Sequence, residues 1–231
     1  MKAKMNYMRQ KLIHVILEQG ISEVIVKGER LGKNNKVANA VYYLEEGVCG
    51  LVRYTKAGEE VVYHYFQAGD ILGGVYFNLA EEPSSYNYKN DARSYFLTKT
   101  DCKIYKIYYE QLNSAIQQNP MLANIISYSI ASNFHQVIGH IHEEKEEYTH
   151  VRLSRFLLKL SREIDGEDVL DKHFNYVEIA KYLSVHTVTI SRIMAIFKKK
   201  QMVEKRGHQI ILKDKEALLE VAENMRNEEF L

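Results

Sequence analysis

The spacing of hydrophobic residues changes once along the chain, and this change constrains the fold more than any other feature. From Val24 to Ile107, short alternating or apolar runs are broken by single glycines, a pattern typical of short antiparallel strands. After Asn119 and Pro120 the spacing lengthens to about 3.5 residues, which is the period of a helix that packs on a partner helix. The sequence therefore predicts an N-terminal β domain followed by a helical region.

Turn signals support the β domain. The segment 56–59 separates two apolar runs and contains Gly58, which adopts positive φ at little cost, so a hairpin turn is predicted there. The polar segment 81–85 contains Pro83 and is predicted to be a loop at the mouth of the domain.

The long helix predicted after Pro120 carries a narrow apolar stripe. Its members are Ile130, Phe134, Val137 and Ile141. A stripe this narrow favours a homodimer interface, and the alternative is packing on the chain's own β domain; both hold if they use different faces of the helix. The acidic run 143–147 follows the stripe, and we place a domain boundary near Tyr148.

Two short helices are predicted beyond this boundary, after an amphipathic helix that runs from Val151 to Ile164 and ends before Gly166. Asn175 caps the first, and a tight turn at Ser184 and Val185 leads to the second, which makes a helix-turn-helix. The inward-facing residues of the first are Val177, Ile179, Ala180 and Leu183, and the apolar positions of the second are Val188, Ile190, Ile193, Met194 and Phe197.

The second helix presents side chains that suit DNA. Hydroxyls and lysines bind phosphates, and an arginine pairs with guanine in the major groove. The residues concerned are His186, Thr187, Thr189, Ser191 and Arg192, with Lys198, Lys199 and Lys200 at the helix end. Residues 202–212 then predict a β-hairpin with Gly207 at its tip and Lys205 and Arg206 beside it, which is the wing of a winged helix.

The distribution of charge supports a nucleic-acid partner although the total charge does not. The 231 residues carry a net charge of only +1. Residues 172–213 contain nine Lys and Arg and two Glu, a net +7, so the remainder carries −6. A basic module of this kind is an electrostatic footprint for a polyanion.

Several classes of protein are disfavoured. No apolar run exceeds five residues, and the N-terminal segment has helical spacing without an apolar signal core, so we expect a cytoplasmic protein without a membrane partner. Cys49 and Cys102 cannot supply the four ligands of an iron–sulfur cluster and are expected to be buried strand residues. His135, His140 and His142 do not share one helix face, so they are expected to be solvated or interface residues and no metal is predicted. No catalytic motif is present.

The order of these parts resembles the CRP/FNR superfamily of bacterial transcription regulators over nearly the whole chain. The matching segments are 26–29, 43–47, 68–73, 178–180 and 189–192. The resemblance implies an α+β fold with an N-terminal antiparallel β-roll, cupin-like, over residues 1–119, a dimerisation helix and hinge over 120–148, and a winged helix-turn-helix over 149–231.

The chain departs from the cyclic-AMP-binding members of that superfamily. Those members carry a Glu directly after the glycine that matches Gly73, whereas this chain has Gly74. Arg93 and Ser94 resemble their phosphate-binding pair but lie one residue out of register. Cyclic AMP is therefore not expected as the effector, and no cofactor is predicted.

By the same resemblance, an effector site lies between the β-roll, the loop near Arg93 and the long helix. Its expected residues are Gly73, Gly74, Val75, Tyr76, Arg93 and Phe134. Gly74 leaves room, and Tyr76 and Arg93 suit a small aromatic or anionic effector. The alternative is a collapsed pocket without a small ligand.

The helix that reads DNA also departs from the cyclic-AMP- and oxygen-responsive members. Val188 stands where these usually have a Glu that reads cytosine, and valine contacts only apolar groups such as a thymine methyl. The string 185–192 is similar to that of regulators of anaerobic halorespiration, which sense chlorinated aromatics and read A/T-rich inverted repeats.

The sequence thus predicts an effector-responsive regulator, not an enzyme, that binds double-stranded DNA as a homodimer on an A/T-rich inverted repeat. RNA polymerase is an expected partner, as for an activator. The expected DNA-binding residues are His186, Thr187, Val188, Thr189, Ser191, Arg192, Lys199, Lys205 and Arg206. The alternative is a cyclic-nucleotide- or metabolite-binding module whose C-terminal domain serves protein contacts.

Overall fold

The computed structural model describes residues 2–31, 40–56, 58, 60–75 and 94–223. The chain divides into two compact units, Met1–Ile138 and Gly139–Leu231, and the dividing point lies inside the segment predicted as the dimerisation helix. Among the described residues, no helix has the length and apolar character needed to cross a bilayer.

The first unit is built from strands with helices at both ends of the chain segment. Its elements are α1 (Lys2–Gln19), β1 (Ile21–Ile25), β2 (Ala40–Glu46), β3 (Val48–Tyr54), β4 (Glu60–Gln67), β5 (Ile71–Gly73), β6 (Ser94–Thr98), β7 (Cys102–Tyr108), α2 (Tyr109–Gln118) and the first part of α3 (Met121–Glu146). The strands form two antiparallel sheets in the orders β1-β7-β2-β5 and β4-β3-β6. The predicted hairpin β3–β4 is present, with Gly58 at positive φ.

Both faces of the first sheet are buried, as the alternate residues of β2 show. In β2, Tyr42 and Leu44 join a cluster with Cys49 and Phe66 of the second sheet. The alternate residue Val41 joins a different cluster, formed with α1, α2 and α3. Because successive strand residues point to opposite faces, the sheet lies between the second sheet and a helical layer.

The helical layer explains the apolar spacing at the N-terminus. Side chains of three helices meet in it, namely Leu12, Ile13, Ile16, Leu112, Ala115, Leu122, Ile125 and Ile126. All eight are buried, so α1 is an integral part of the first unit and α3 begins as a helix packed on its own β domain.

The predicted stripe on α3 does not behave as one surface. Ile130 packs against the buried cluster of its own unit. Phe134, one turn later, is 66% exposed. Packing on the chain's own β domain therefore accounts for Ile130, whereas Phe134, which lies on the same face of the helix one turn later, is left uncovered in its own unit.

The second unit combines helices with one antiparallel sheet. After the last part of α3, its elements are α4 (Thr149–Leu160), β8 (Ser161–Ile164), β9 (Glu167–Leu170), α5 (Tyr176–Tyr182), α6 (Thr187–Lys199), β10 (Val203–Arg206), β11 (Gln209–Leu212) and α7 (Lys215–Ala222). The sheet order is β10-β11-β9-β8.

The prediction of one helix from Val151 to Ile164 is wrong at its C-terminal end. The helix ends at Leu160, and residues 161–164 form β8, which pairs with β9. Asp165 and Gly166 both have positive φ and form a two-residue turn. An Asp-Gly pair between two short strand-like runs is a hairpin signal. The sequence therefore contains a signal for this hairpin, although the apolar spacing before it is helical.

The predicted helix-turn-helix and wing are both present. Helices α5 and α6 and the hairpin β10–β11 lie where the sequence places them. Ile179, Ala180 and Leu183 are buried as predicted, but Val177 is 51% exposed, because it lies in the first turn of α5 on the outer side.

Candidate nucleic-acid interface

Helix α6 is amphipathic, and its buried side fixes which side chains face outward. Ile190, Met194 and Phe197 are fully buried at helical spacing. The exposed residues at the start of the helix are His186, Thr187, Val188, Ser191 and Arg192, and Thr189 is half-buried. The structure thus brings these predicted DNA-binding residues together on one end of α6, with Val188 62% exposed among them.

Local hydrogen bonds set the geometry of the turn before α6. The Asn175 side-chain oxygen accepts from the backbone N–H groups of Val177 (2.9 Å) and Glu178 (3.1 Å), as an N-cap does. At the other end of α5, the Val185 N–H donates to the Ala180 carbonyl (3.0 Å), and Ser184 has φ 52°. This compact turn positions α6 relative to α5.

A buried arginine ties this turn to the rest of the unit. The Arg152 guanidinium on α4 is buried and donates to the Leu183 carbonyl, the last residue before the turn. Sequence reasoning missed this residue, because an arginine within an amphipathic helix gives no signal that it will be buried. Its role is to hold the helix-turn-helix in place.

The two basic residues of the wing lie in different environments. The Lys205 ammonium lies over the Tyr176 ring, 4.9 Å from its centroid. The Arg206 guanidinium instead donates to the carboxylates of Glu167 (2.9 Å) and Glu204 (3.2 Å). Because consecutive strand residues point to opposite faces of the sheet, Lys205 points towards Tyr176 of α5, while Arg206 lies on the other face with Glu167 of β9.

The Arg206 ion pairs perturb both partners. Hydrogen bonds to Glu167 and Glu204 raise the pKa of Arg206, and the same contact with Arg206 holds the pKa of Glu167 below its usual range. The predicted basic wing is therefore basic on the Lys205 side and charge-paired on the Arg206 side. Glu167 lay outside the segment used to count charge, which is why the sequence did not show this pairing.

The three histidines of α3 do not converge. His135 and His142 are exposed, whereas His140 is buried and stacks on Tyr182 with ring centroids 4.1 Å apart. The expectation of a solvated or interface residue is therefore wrong for His140, because it packs inside the second unit. Burial raises the pKa of Tyr182, and the nearby Glu143 carboxylate adds to the effect. Within the described ranges, no group of His, Cys, Asp or Glu residues is arranged to hold a metal ion.

Both cysteines are buried strand residues, as predicted. Cys49 lies on β3 and Cys102 on β7, and the Cys102 thiol donates to the Val48 carbonyl at 3.3 Å. Burial raises the pKa of both thiols, which lowers the fraction of reactive thiolate.

The space directly beside Gly74 is filled by the chain itself. A Cβ placed on Gly74 would lie 3.2 Å from Ile126 and 3.4 Å from Ile130, both on α3. The expectation that Gly74 leaves room for a ligand is therefore wrong, because α3 packs into that room. Of the other expected residues, Gly73 and Val75 adjoin Gly74, whereas Tyr76 and Arg93 lie outside the described residues.

Two family models match the chain in sequence order: a cyclic nucleotide-binding domain over residues 23–119 and a Crp-like helix-turn-helix domain over residues 151–221. Electron transport regulator A of Shewanella oneidensis is 24% identical over 207 residues, which are 87% of this chain and 78% of that protein. The fumarate and nitrate reduction regulatory protein of Escherichia coli strain K12 is 23% identical over 211 residues, which are 88% of this chain and 79% of that protein.

The fold is also found in solved structures. The structure of FixK2 from Bradyrhizobium japonicum superposes with a TM-score of 0.71 at 18% identity, and the match covers 87% of this chain and 96% of that one. The predicted α+β fold is confirmed.

A cyclic nucleotide-binding domain followed by a Crp-like helix-turn-helix is the architecture of one group of regulators, and this chain belongs to the CRP/FNR family of transcription regulators. It is a DNA-binding regulator with an effector-binding domain, and not an enzyme.

Proposed function

We propose that the chain acts as a homodimer on an A/T-rich inverted repeat, with the outward end of α6 in the major groove. One observation carries this proposal: exposed side chains gather at the start of a helix whose other side is buried. They are His186, Thr187, Val188, Ser191 and Arg192. The first turns of such a helix can contact bases in the major groove, because the core contacts of the helix use its other side.

Within this helix, Arg192 reads a guanine, because an exposed guanidinium can donate two hydrogen bonds to one base edge. Val188 favours thymine, because its exposed methyl groups match the thymine methyl and offer no hydrogen bond. Thr187, Ser191 and Lys199 contact phosphates and set the docking register.

The homodimer forms through the exposed side of α3. Phe134 and Tyr128 are both exposed aromatic residues on this 26-residue helix. A dimer would cover these rings and set two α6 helices about 34 Å apart on successive major grooves. In sedimentation equilibrium, Phe134→Glu should shift the protein to monomers. Val24→Glu places the same charge on an exposed apolar residue of β1 and should leave the dimer intact.

An effector would act on the packing of α3 at Gly74. A small aromatic or anionic molecule that enters there must displace Ile126 or Ile130, which moves the helix that also carries the dimer contacts. A ligand changes the DNA-binding equilibrium only if its affinity differs between the two arrangements of this helix. The protein would act in the cytoplasm, where its operator DNA lies, and would activate transcription through contact with RNA polymerase.

In vitro selection of bound duplexes tests this function. The wild-type chain should enrich an inverted repeat rich in A and T. The degree of enrichment of this repeat should change when aromatic acids or chlorophenols are added. Val188→Glu should enrich cytosine at one position of each half-site. Failure of the wild-type chain to enrich any repeat would contradict the proposal, and an unchanged sequence with Val188→Glu would remove Val188 from base reading.

A further inference from the structure

Arg206 lies at the last position of β10, next to the wing tip, and two carboxylates converge on it. Its guanidinium nitrogens lie 2.9 and 3.3 Å from the Glu167 oxygens and 3.3 and 3.2 Å from the Glu204 oxygens. This paired geometry is the one that a guanidinium uses for a phosphate.

Lys213 completes the cluster. Its ammonium lies 3.6 Å from Glu167 and 3.8 Å from Glu204. The two cations and two carboxylates of this wing cluster, Arg206, Lys213, Glu167 and Glu204, have no net formal charge. A phosphate that approaches this side of the wing therefore meets a neutral surface, although the surrounding segment is strongly basic.

We propose that Glu167 and Glu204 compete with DNA phosphates for Arg206 and thereby limit the affinity of the wing for DNA. The proposal rests on the DNA-binding function argued above. The Arg206 side chain is 57% exposed, so a phosphate can reach it without any rearrangement of the core. DNA gains this contact only by exchanging a carboxylate for a phosphate, which yields little net attraction.

Lys205 provides an internal contrast. It precedes Arg206 in β10 and lies over the Tyr176 ring, and a ring does not neutralise its charge. Lys205 therefore contributes its full attraction to DNA, while Arg206 contributes only after its carboxylates are removed. The exposure of the cluster also means that its ion pairs add little to folding stability.

The test uses the full chain and the double variant Glu167→Gln/Glu204→Gln, with random-sequence duplex DNA as the probe. Dissociation constants are measured by fluorescence anisotropy over a series of NaCl concentrations. The variant should bind about three- to tenfold more tightly, and its salt dependence should steepen by about one counterion for each wing. Adding Arg206→Ala to the variant should remove most of both gains and leave only the smaller share of Lys213, whose contacts with the two glutamates are longer.

Asp168→Asn is the matched control. It removes one carboxylate from the neighbouring residue of β9, where Asp168 pairs with Lys215 at 2.9 Å instead of with Arg206. The single variant Glu204→Gln leaves the Glu167 pairing in place and should give an intermediate gain.

Three results decide between the possibilities. Gains in the double variant no larger than twice that of Asp168→Asn would overturn the proposal, because general charge would then explain them. Gains that are undiminished after Arg206→Ala would also overturn it. If the wild-type chain binds no DNA at all, the proposed function fails instead, and the wing cluster is not the cause.

Discussion

The two units of this protein use their family motifs in different ways. In the second unit, the buried side of α6 holds Arg192 and its neighbours outward, so the motif residues face solvent. In the first unit, the position that follows Gly73 is covered by Ile126 and Ile130 of α3. The outward residues of α6 are thus set by the helix that carries them, whereas the space at Gly74 is set by a helix that comes later in the chain.

The largest effect is expected from Gly74→Ala. Gly74 has φ +85°, and an added Cβ would press on Ile126 and Ile130, so strain and overpacking together should lower the stability of the first unit by about 3 kcal/mol. Hydrogen exchange measured on peptides from β5 and α3 reports this loss.

Gly69→Ala serves as the control for Gly74→Ala. Gly69 has φ +95°, and an added Cβ meets nothing within 4 Å, so only the backbone strain of about 1 kcal/mol applies. Equal losses for the two variants would show that α3 does not fill the space at Gly74, and the contrast between the units would disappear.

A smaller effect is expected from Asn175→Ala. The side chain of Asn175 satisfies two backbone N–H groups at the start of α5, so its removal should cost the second unit about 1 kcal/mol. Hydrogen exchange in the first turn of α5 measures the change, and Asn175→Asp should retain most of the stability. A full loss with aspartate as well would mean that the cap does not position the helix-turn-helix.

The smallest effect concerns the contact between the wing and α5. Tyr176→Leu removes the ring under Lys205 and should lower the stability of the second unit by about 0.5 kcal/mol, the value of an exposed cation–π contact. Tyr176→Phe keeps the ring and should behave like the wild type in the same exchange experiment. Similar losses for both variants would assign the effect to the hydroxyl instead.

Local signals made much of the second unit predictable. The Asn175 cap, the turn at Ser184 and the spacing of Ile190, Met194 and Phe197 each act within a few residues, and the structure follows them. The hairpin β8–β9 was missed because the apolar spacing of α4 continues into Ile164, although Asp165 and Gly166 signal a turn.

The filled position at Gly74 was not predictable from local patterns. It depends on Ile126 and Ile130, which lie more than 50 residues later in the chain. The glycine alone is compatible with an open pocket or with close packing of a helix. The pairing of Arg206 with Glu167 has the same origin, since the two residues meet only when the sheet of the second unit is assembled.

Arg192→Ala shows whether the outward end of α6 reads DNA sequence. Binding is measured by fluorescence anisotropy on the selected repeat and on random duplex DNA, with Lys172→Ala, at an exposed lysine of the same unit, as a control for the loss of one charge. If Arg192 reads a base, the variant should lose about 1–3 kcal/mol of binding free energy on the selected repeat and much less on random DNA. An equal loss on both DNAs would contradict base reading by α6, because Arg192 would then contact only the phosphate backbone.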